Sequence, residues 1–137
     1  YDLSSGGTDN HLVLVKKPRG LTGKCAQYAT ELIGVTTNKN AVPDDTEKPW
    51  IGSGLRLGTP TITTRGIGAE GTLLIAQSLD ELFSSTTDGP DHNPVVPEAV
   101  INKLKPRIDE LCSAYPIYTG RLAMFEFIIR DLQLKRP

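Results

Sequence analysis

Cysteine is scarce in this chain, with Cys25 and Cys112 alone among 137 residues. Far apart and without metal-ligand spacing, they rule out a disulfide-stapled scaffold and a zinc module; two half-buried thiols in a reducing compartment are expected. Excess charge of either sign is missing as well: 15 Lys and Arg oppose 16 Asp and Glu, scattered along the chain. That balance argues against a nucleic-acid surface, which needs clustered cations to neutralise phosphates. No long apolar run exists. The densest cluster, LAMFEFII at 122–129, is broken by Glu126 and is far shorter than the roughly 20 residues a bilayer span needs. The opening YDLSSGGTDN is polar and has no basic start or apolar stretch, so it is not a secretory signal. Neither nucleic acid nor membrane is therefore expected as a partner, and the cytoplasm is the expected location, with an organelle as the other option. The start at Tyr1 instead of Met reads as a fragment of something longer. No internal repeat is visible.

With 38% apolar and 23% charged residues, the chain has the make-up of one soluble domain able to bury a core. HLVLVKK at 11–17 is apolar on both alternating faces, which predicts a strand buried on both sides or an inner strand. Pro18 and Gly20 break it, Thr22 can cap the next segment, and Ala26, Ala29, Leu32 and Ile33 predict a helix over 23–33 that Gly34 stops. VTTN at 35–38 is a short β-branched run, succeeded by a long connection over 39–53 that carries the single Trp; such loops are commonly functional. LRLG reads as a strand and TPTITTRG as its extended continuation. Leu73, Leu74, Ile75, Leu79, Leu82 and Phe83 form a helical stripe over 69–83, and 84–97 reads as an aperiodic linker. A further helix spans about 97–114 and should kink at Pro106. An apolar helical tail over 122–134 ends the chain. Strand, helix, strand, loop, strand, helix, helix describes an α/β two-layer sandwich (α+β), with helices on one face of a mostly antiparallel sheet.

Several motifs offer chemistry, and most have a plainer use. Gly66, Gly68 and Gly71 spell G-x-G-x-x-G, but no buried aliphatic strand precedes them, and Glu70 in the first helical turn would repel a pyrophosphate. A turn and helix start is preferred. Asp9, Asn10 and His11 could bind a metal, yet no second cluster completes a site, and a capped turn before the strand fits better. Asp44, Asp45 and Glu47 could be paired carboxylates; beside Lys48 they read as a solvated loop. His92 in DGPDHNP reads as solvated.

Arg56 differs from these. In an extended SGLRLGTP it faces away from Leu55 and Leu57, and its same-face neighbours are Gly54 and Gly58. A guanidinium grips a carboxylate or phosphate through two parallel hydrogen bonds. Glycines on either side would leave room for such a ligand, and a long loop and a second arginine, Arg65, lie close in sequence. An arginine on a solvent-facing strand is the alternative on geometry alone.

SGGTDNHLVLV, LTGKCAQYATELIGVTTNKNAVPDD, PWIGSGLRLGTPTITTRG and AYPIY, in that order through residue 118, resemble the C-terminal small domain of serine hydroxymethyltransferase. That family comprises pyridoxal-phosphate enzymes of the aspartate aminotransferase fold type (fold type I). The resemblance implies interconversion of serine and glycine, with one-carbon transfer to tetrahydrofolate. It implies that Arg56 clamps the amino-acid carboxylate, that Asn40 in NKNAVP contacts the folate pterin, and that Arg65 is structural. Serine or glycine and folate would be the ligands, a large domain the partner, and a homodimer or homotetramer the full-length assembly. The cofactor lysine of the family, its threonine-rich surroundings and the aspartate on the pyridine nitrogen belong to the large domain and are missing from this sequence. No catalytic residue and no metal is therefore expected in this piece, and it should be inactive alone. Residues 1–118 form the resembling domain. Residues 119–137 are an apolar tail without family precedent, expected to pack on another surface. The alternative is a non-catalytic binding or interaction module derived from the same fold.

Overall fold

The computed structural model describes residues 1–134. A four-stranded sheet in the order β1-β2-β4-β3 is built from β1 (Asp2–Leu3), β2 (Leu12–Lys16), β3 (Asn38–Asn40) and β4 (Gly54–Gly58). Every pairing in it is antiparallel. Among the described residues five α-helices accompany it: α1 (Gly23–Leu32), α2 (Pro60–Arg65), α3 (Ala69–Ser84), α4 (Glu98–Ala114) and α5 (Thr119–Leu134). A hairpin of β5 (Thr87–Asp88) and β6 (Pro94–Val95) lies between α3 and α4.

Register decides what each face carries. Val13 lies opposite Leu57, and Val15 opposite Leu55 and Leu3, so these side chains share one face. Against it α1 and α3 bury Cys25, Ala26, Ala29, Leu79, Leu82 and Phe83, with Leu104 and Ile108 of α4 behind them. Ala26 and Ala29 of α1 are fully buried in this core, and Gly23 lets the start of α1 approach Gly54 of β4. Leu55, fully buried, anchors β4 in this core. The expected two-layer sandwich is what forms. Tyr1 and Arg19 tie the chain start to α3: the Tyr1 hydroxyl donates to Asp80 Oδ1 at 2.6 Å and Arg19 Nη2 to the same oxygen at 2.7 Å.

The structure corrects several sequence expectations. TPTITTR is a helix, α2, and not extended: Pro60 holds φ at the first helical position, and Gly66 closes the turn in the left-handed region at φ 81. Its β-branched residues signalled a strand, but these two terminators prevailed. The third strand forms over Asn38–Asn40 and not over 35–38; Thr37 instead turns inward, its hydroxyl 2.9 Å from that of Thr30. β2 is central but covered on one face only, with Leu12 exposed. The 84–97 stretch contains the β5–β6 hairpin. Helix α4 runs through Pro106 as one element. The expected apolar tail lies on α5; the side chains of Leu122, Ala123, Ile129 and 131–134, and residues 135–137 altogether, fall outside the described part. No helix among the described residues is long and apolar enough to cross a membrane.

Candidate substrate-recognition face

The second face of the sheet carries the candidate site. Arg56 on β4 lies directly opposite Asn38 on β3 and Leu14 on β2, and Asn40 lies opposite Gly54. Arg56, Asn38 and Asn40 thus share one face, with Arg56 and Asn40 as diagonal neighbours about 7–8 Å apart by sheet geometry. Arg56 is exposed, and no acidic side chain among the described residues pairs with it. Asn40 is half-buried, its Oδ1 3.4 Å from Asn38 Nδ2. The arrangement offers an unengaged cationic fork with two amides beside it.

The glycines have another role than the one expected. A Cβ on Gly54 would lie 2.8 Å from Val42 Cγ1 and 2.9 Å from both Asn40 O and Leu14 Cδ1. The absent side chain lets β3 and Leu14 close in, and so leaves no open space for a ligand at that position. Gly58 is less confined, its nearest contact being Leu12 Cδ2 at 3.3 Å.

What positions Asn40 is the loop after it. Asp45, expected to be solvated, gathers this loop: Oδ1 accepts from Ser53 Oγ at 2.6 Å and Glu47 N at 2.9 Å, and Oδ2 from Ser53 N at 2.9 Å and Val42 N at 3.1 Å. The Ser53 hydroxyl first, with these backbone donors, holds the Asp45 carboxyl far below the usual carboxylate range against partial desolvation. The loop's far end docks on the start of α1, where Gly23 N donates to Gly52 O at 2.8 Å and Lys24 N to Ile51 O at 3.0 Å. These bonds satisfy donors that a helix start leaves unpaired. One carboxylate and one helix terminus therefore hold the two ends of the connection between Asn40 and Arg56.

The other sequence candidates have structural roles. Asn10 Oδ1 accepts Leu12 N at 2.8 Å, closing the turn into β2. Arg65 Nη1 donates to the carbonyls of Tyr115 at 2.7 Å and Cys112 at 3.1 Å, capping the end of α4 as a structural arginine should. The G-x-G-x-x-G glycines come after a helix, α2, and not a strand. His92 is half-buried instead of solvated: its Nδ1 lies 3.2 Å from Asp88 Oδ1 and 3.4 Å from the Thr22 hydroxyl. Burial raises the Asp88 carboxyl, but hydrogen bonds from the Thr22 hydroxyl and N–H and from His92 outweigh it and leave it below its ordinary value. That cluster pins the β5–β6 hairpin to the start of α1.

Sequence reasoning missed Asn38, and it read Asp45 as solvated where the structure makes it a clamp. The first could have been found by registering NKN against GLR; the second had no signal, since its donors come from residues up to eight positions away.

Comparison with known proteins bears on this face. The serine hydroxymethyltransferase family model matches residues 1–79, which contain Asn38, Asn40, Asp45 and Arg56. A serine hydroxymethyltransferase from Marinomonas sp. is 42% identical over 118 residues, one from Paramagnetospirillum magneticum 46%, and serine hydroxymethyltransferase 2 from Ralstonia nicotianae 45%. Each match covers 85% of this chain and 27% of the relative, so the chain spans about a quarter of their length. The family match extends over the whole face built by β2, β3, β4 and the Asp45 loop, and the chain belongs to the serine hydroxymethyltransferase family.

Proposed function

We propose that this chain is the small-domain portion of a serine hydroxymethyltransferase and supplies its recognition of the amino acid and of folate. Arg56 receives the α-carboxylate of serine or glycine, and Asn40 hydrogen-bonds the pterin of tetrahydrofolate. The observation that carries the reading is the shared face of Arg56 and Asn40 on adjacent antiparallel strands, with the guanidinium exposed. A carboxylate held in two parallel charge-assisted bonds is fixed in orientation as well as position. That fixes which bond at the α-carbon faces the reacting centre.

Pyridoxal phosphate would have to be held elsewhere. No lysine among the described residues is buried, and Lys16 and Lys17, beside the 520 Å³ cleft next to Asp45, face Asp2 and Glu47. These residues do not fit the enclosed amine that an imine-forming cofactor takes. No step through the cofactor is derived from this chain; a large domain, in a homodimeric or homotetrameric whole protein, would provide it.

The test is made in the protein that joins this chain to its large domain. Arg56→Ala should lower kcat/KM for serine by about 10²- to 10³-fold, the loss of roughly 3–4 kcal/mol from a bidentate charged contact. Asn40→Ala should raise KM for the folate about tenfold while leaving the serine dependence nearly unchanged. Near-normal serine turnover by Arg56→Ala would remove the assigned role.

A further inference from the structure

Asn40 and Arg56 lie on different strands, so the distance between the amide on β3 and the guanidinium on β4 depends on how closely the two backbones approach. Asn40 is directly opposite Gly54, two residues before Arg56. Gly54 is buried, and a Cβ there would meet Val42 Cγ1 at 2.8 Å and both the Asn40 carbonyl oxygen and Leu14 Cδ1 at 2.9 Å. The two side-chain ends can swing aside, whereas the carbonyl moves only with the backbone of β3. A Cβ on Gly52 would meet the same carbonyl oxygen at 2.6 Å. The Asn40 peptide thus rests against two bare Cα atoms of the returning chain.

Which strand yields to an added methyl group follows from how each is held. β4 is paired on both sides, with β2 and with β3, and Leu55, next to Gly54, is fully buried in the core. The start of β4 is also blocked from retreating, because Gly23 of α1 packs against the Gly54 carbonyl and Gly23 N donates to Gly52 O at 2.8 Å. β3, by contrast, is an edge strand of three residues. Crowding at Gly54 therefore displaces Asn40 and leaves Arg56 in place.

We propose that Gly54 is a positioning residue for folate: its bare Cα sets the distance at which β3 presents Asn40 beside Arg56, and a side chain there weakens the folate contact while sparing the amino-acid contact. The inference rests on the assignment of Asn40 to the pterin made above. A shift of a few tenths of an ångström is enough, since a side-chain hydrogen bond stretched to about 3.6 Å is no longer one.

The test is a double-mutant cycle in the protein that joins this chain to its large domain, with KM measured for tetrahydrofolate and for serine. It is run also in a Val42→Ala background, which removes the closest side-chain contact and keeps the cycle readable if Gly54→Ala alone fails to fold. Gly54→Ala should raise the folate KM about fivefold and leave the serine KM nearly unchanged. Combined with Asn40→Ala it should add nothing to the increase that Asn40→Ala causes alone, because the amide it displaces is already gone. Val42→Ala should not restore the folate KM, since the Asn40 carbonyl stays crowded; a packing role alone would restore it together with Tm. An unchanged folate KM in Gly54→Ala, a rise shared equally by serine, recovery in the Val42→Ala background, or effects that multiply in the double variant would each overturn the proposal and leave the Asn40 assignment standing. An unchanged folate KM in Asn40→Ala would instead remove that assignment, and the proposal with it.

Discussion

The loop between Asn40 and Arg56 depends on one carboxylate, which makes Asp45→Asn the sharpest probe of how the candidate face is held. Asp45 accepts four hydrogen bonds, three from backbone N–H groups and one from the Ser53 hydroxyl. An amide at this position keeps one accepting oxygen, so two of the four donors lose their acceptor and meet an NH₂ group instead. Hydrogen bonds to a charged group contribute about 1.5–3 kcal/mol each. The site is half-buried, so water recovers part of that, and a net loss of about 2 kcal/mol at pH 7 is expected, or roughly 6–8 °C in Tm for a domain of this size.

The pH dependence has a definite sign. The Asp45 carboxyl is depressed in the folded chain, so its contribution is fully present above the unfolded value of about 3.9 and is lost as pH falls through the lower folded value. Thermal unfolding monitored at 222 nm should therefore show the widest gap between wild type and Asp45→Asn near neutrality. The gap should narrow below about pH 4. A variant as stable as wild type at pH 7, or a gap that stays constant down to pH 3, would refute the clamp.

Three other outcomes are expected from the packing. Leu55→Ala empties a fully buried site beneath β4 and should cost about 2–5 kcal/mol in denaturant unfolding, loosening the strand that carries Arg56. Thr22→Ala removes both the cap on Cys25 N and the 2.7 Å bond to Asp88; a loss of about 1–2 kcal/mol is expected, with faster amide exchange in the β5–β6 hairpin than elsewhere. Cys25 is fully buried and burial pushes its thiol up to about 12, whereas Cys112 is half-buried. A thiol-specific reagent at pH 8 should therefore label one cysteine in the native chain and the second only on unfolding.

Local chemistry made much of this protein legible. Thr22 and Gly34 bracket α1, the stripe from Leu73 to Phe83 marks α3, and Arg56 is distinguished by alternation along a short strand whose other face, Leu55 and Leu57, must be buried. The misreadings have local causes too. TPTITTR carries strand-forming residues between two helix terminators, and VTTN is β-branched although the ladder forms one step later, at NKN, where the partner strand offers its hydrogen bonds.

By itself the sequence determined the helices with capped ends and one strong apolar stripe, the inward face of β4, and the residue types able to meet a carboxylate, because these depend on neighbours within a few positions. Tertiary structure alone decided that Asn38 and Asn40 stand beside Arg56, since register between strands is set by the whole core. It also decided that Asp45 is a clamp and not a solvated acid, because its four donors meet only once the loop has folded back to Ser53. Gly54 shows the difference in one residue. Alternation placed it beside Arg56, but only the approach of Asn40, Val42 and Leu14 reveals that its missing side chain makes room for the neighbouring strands.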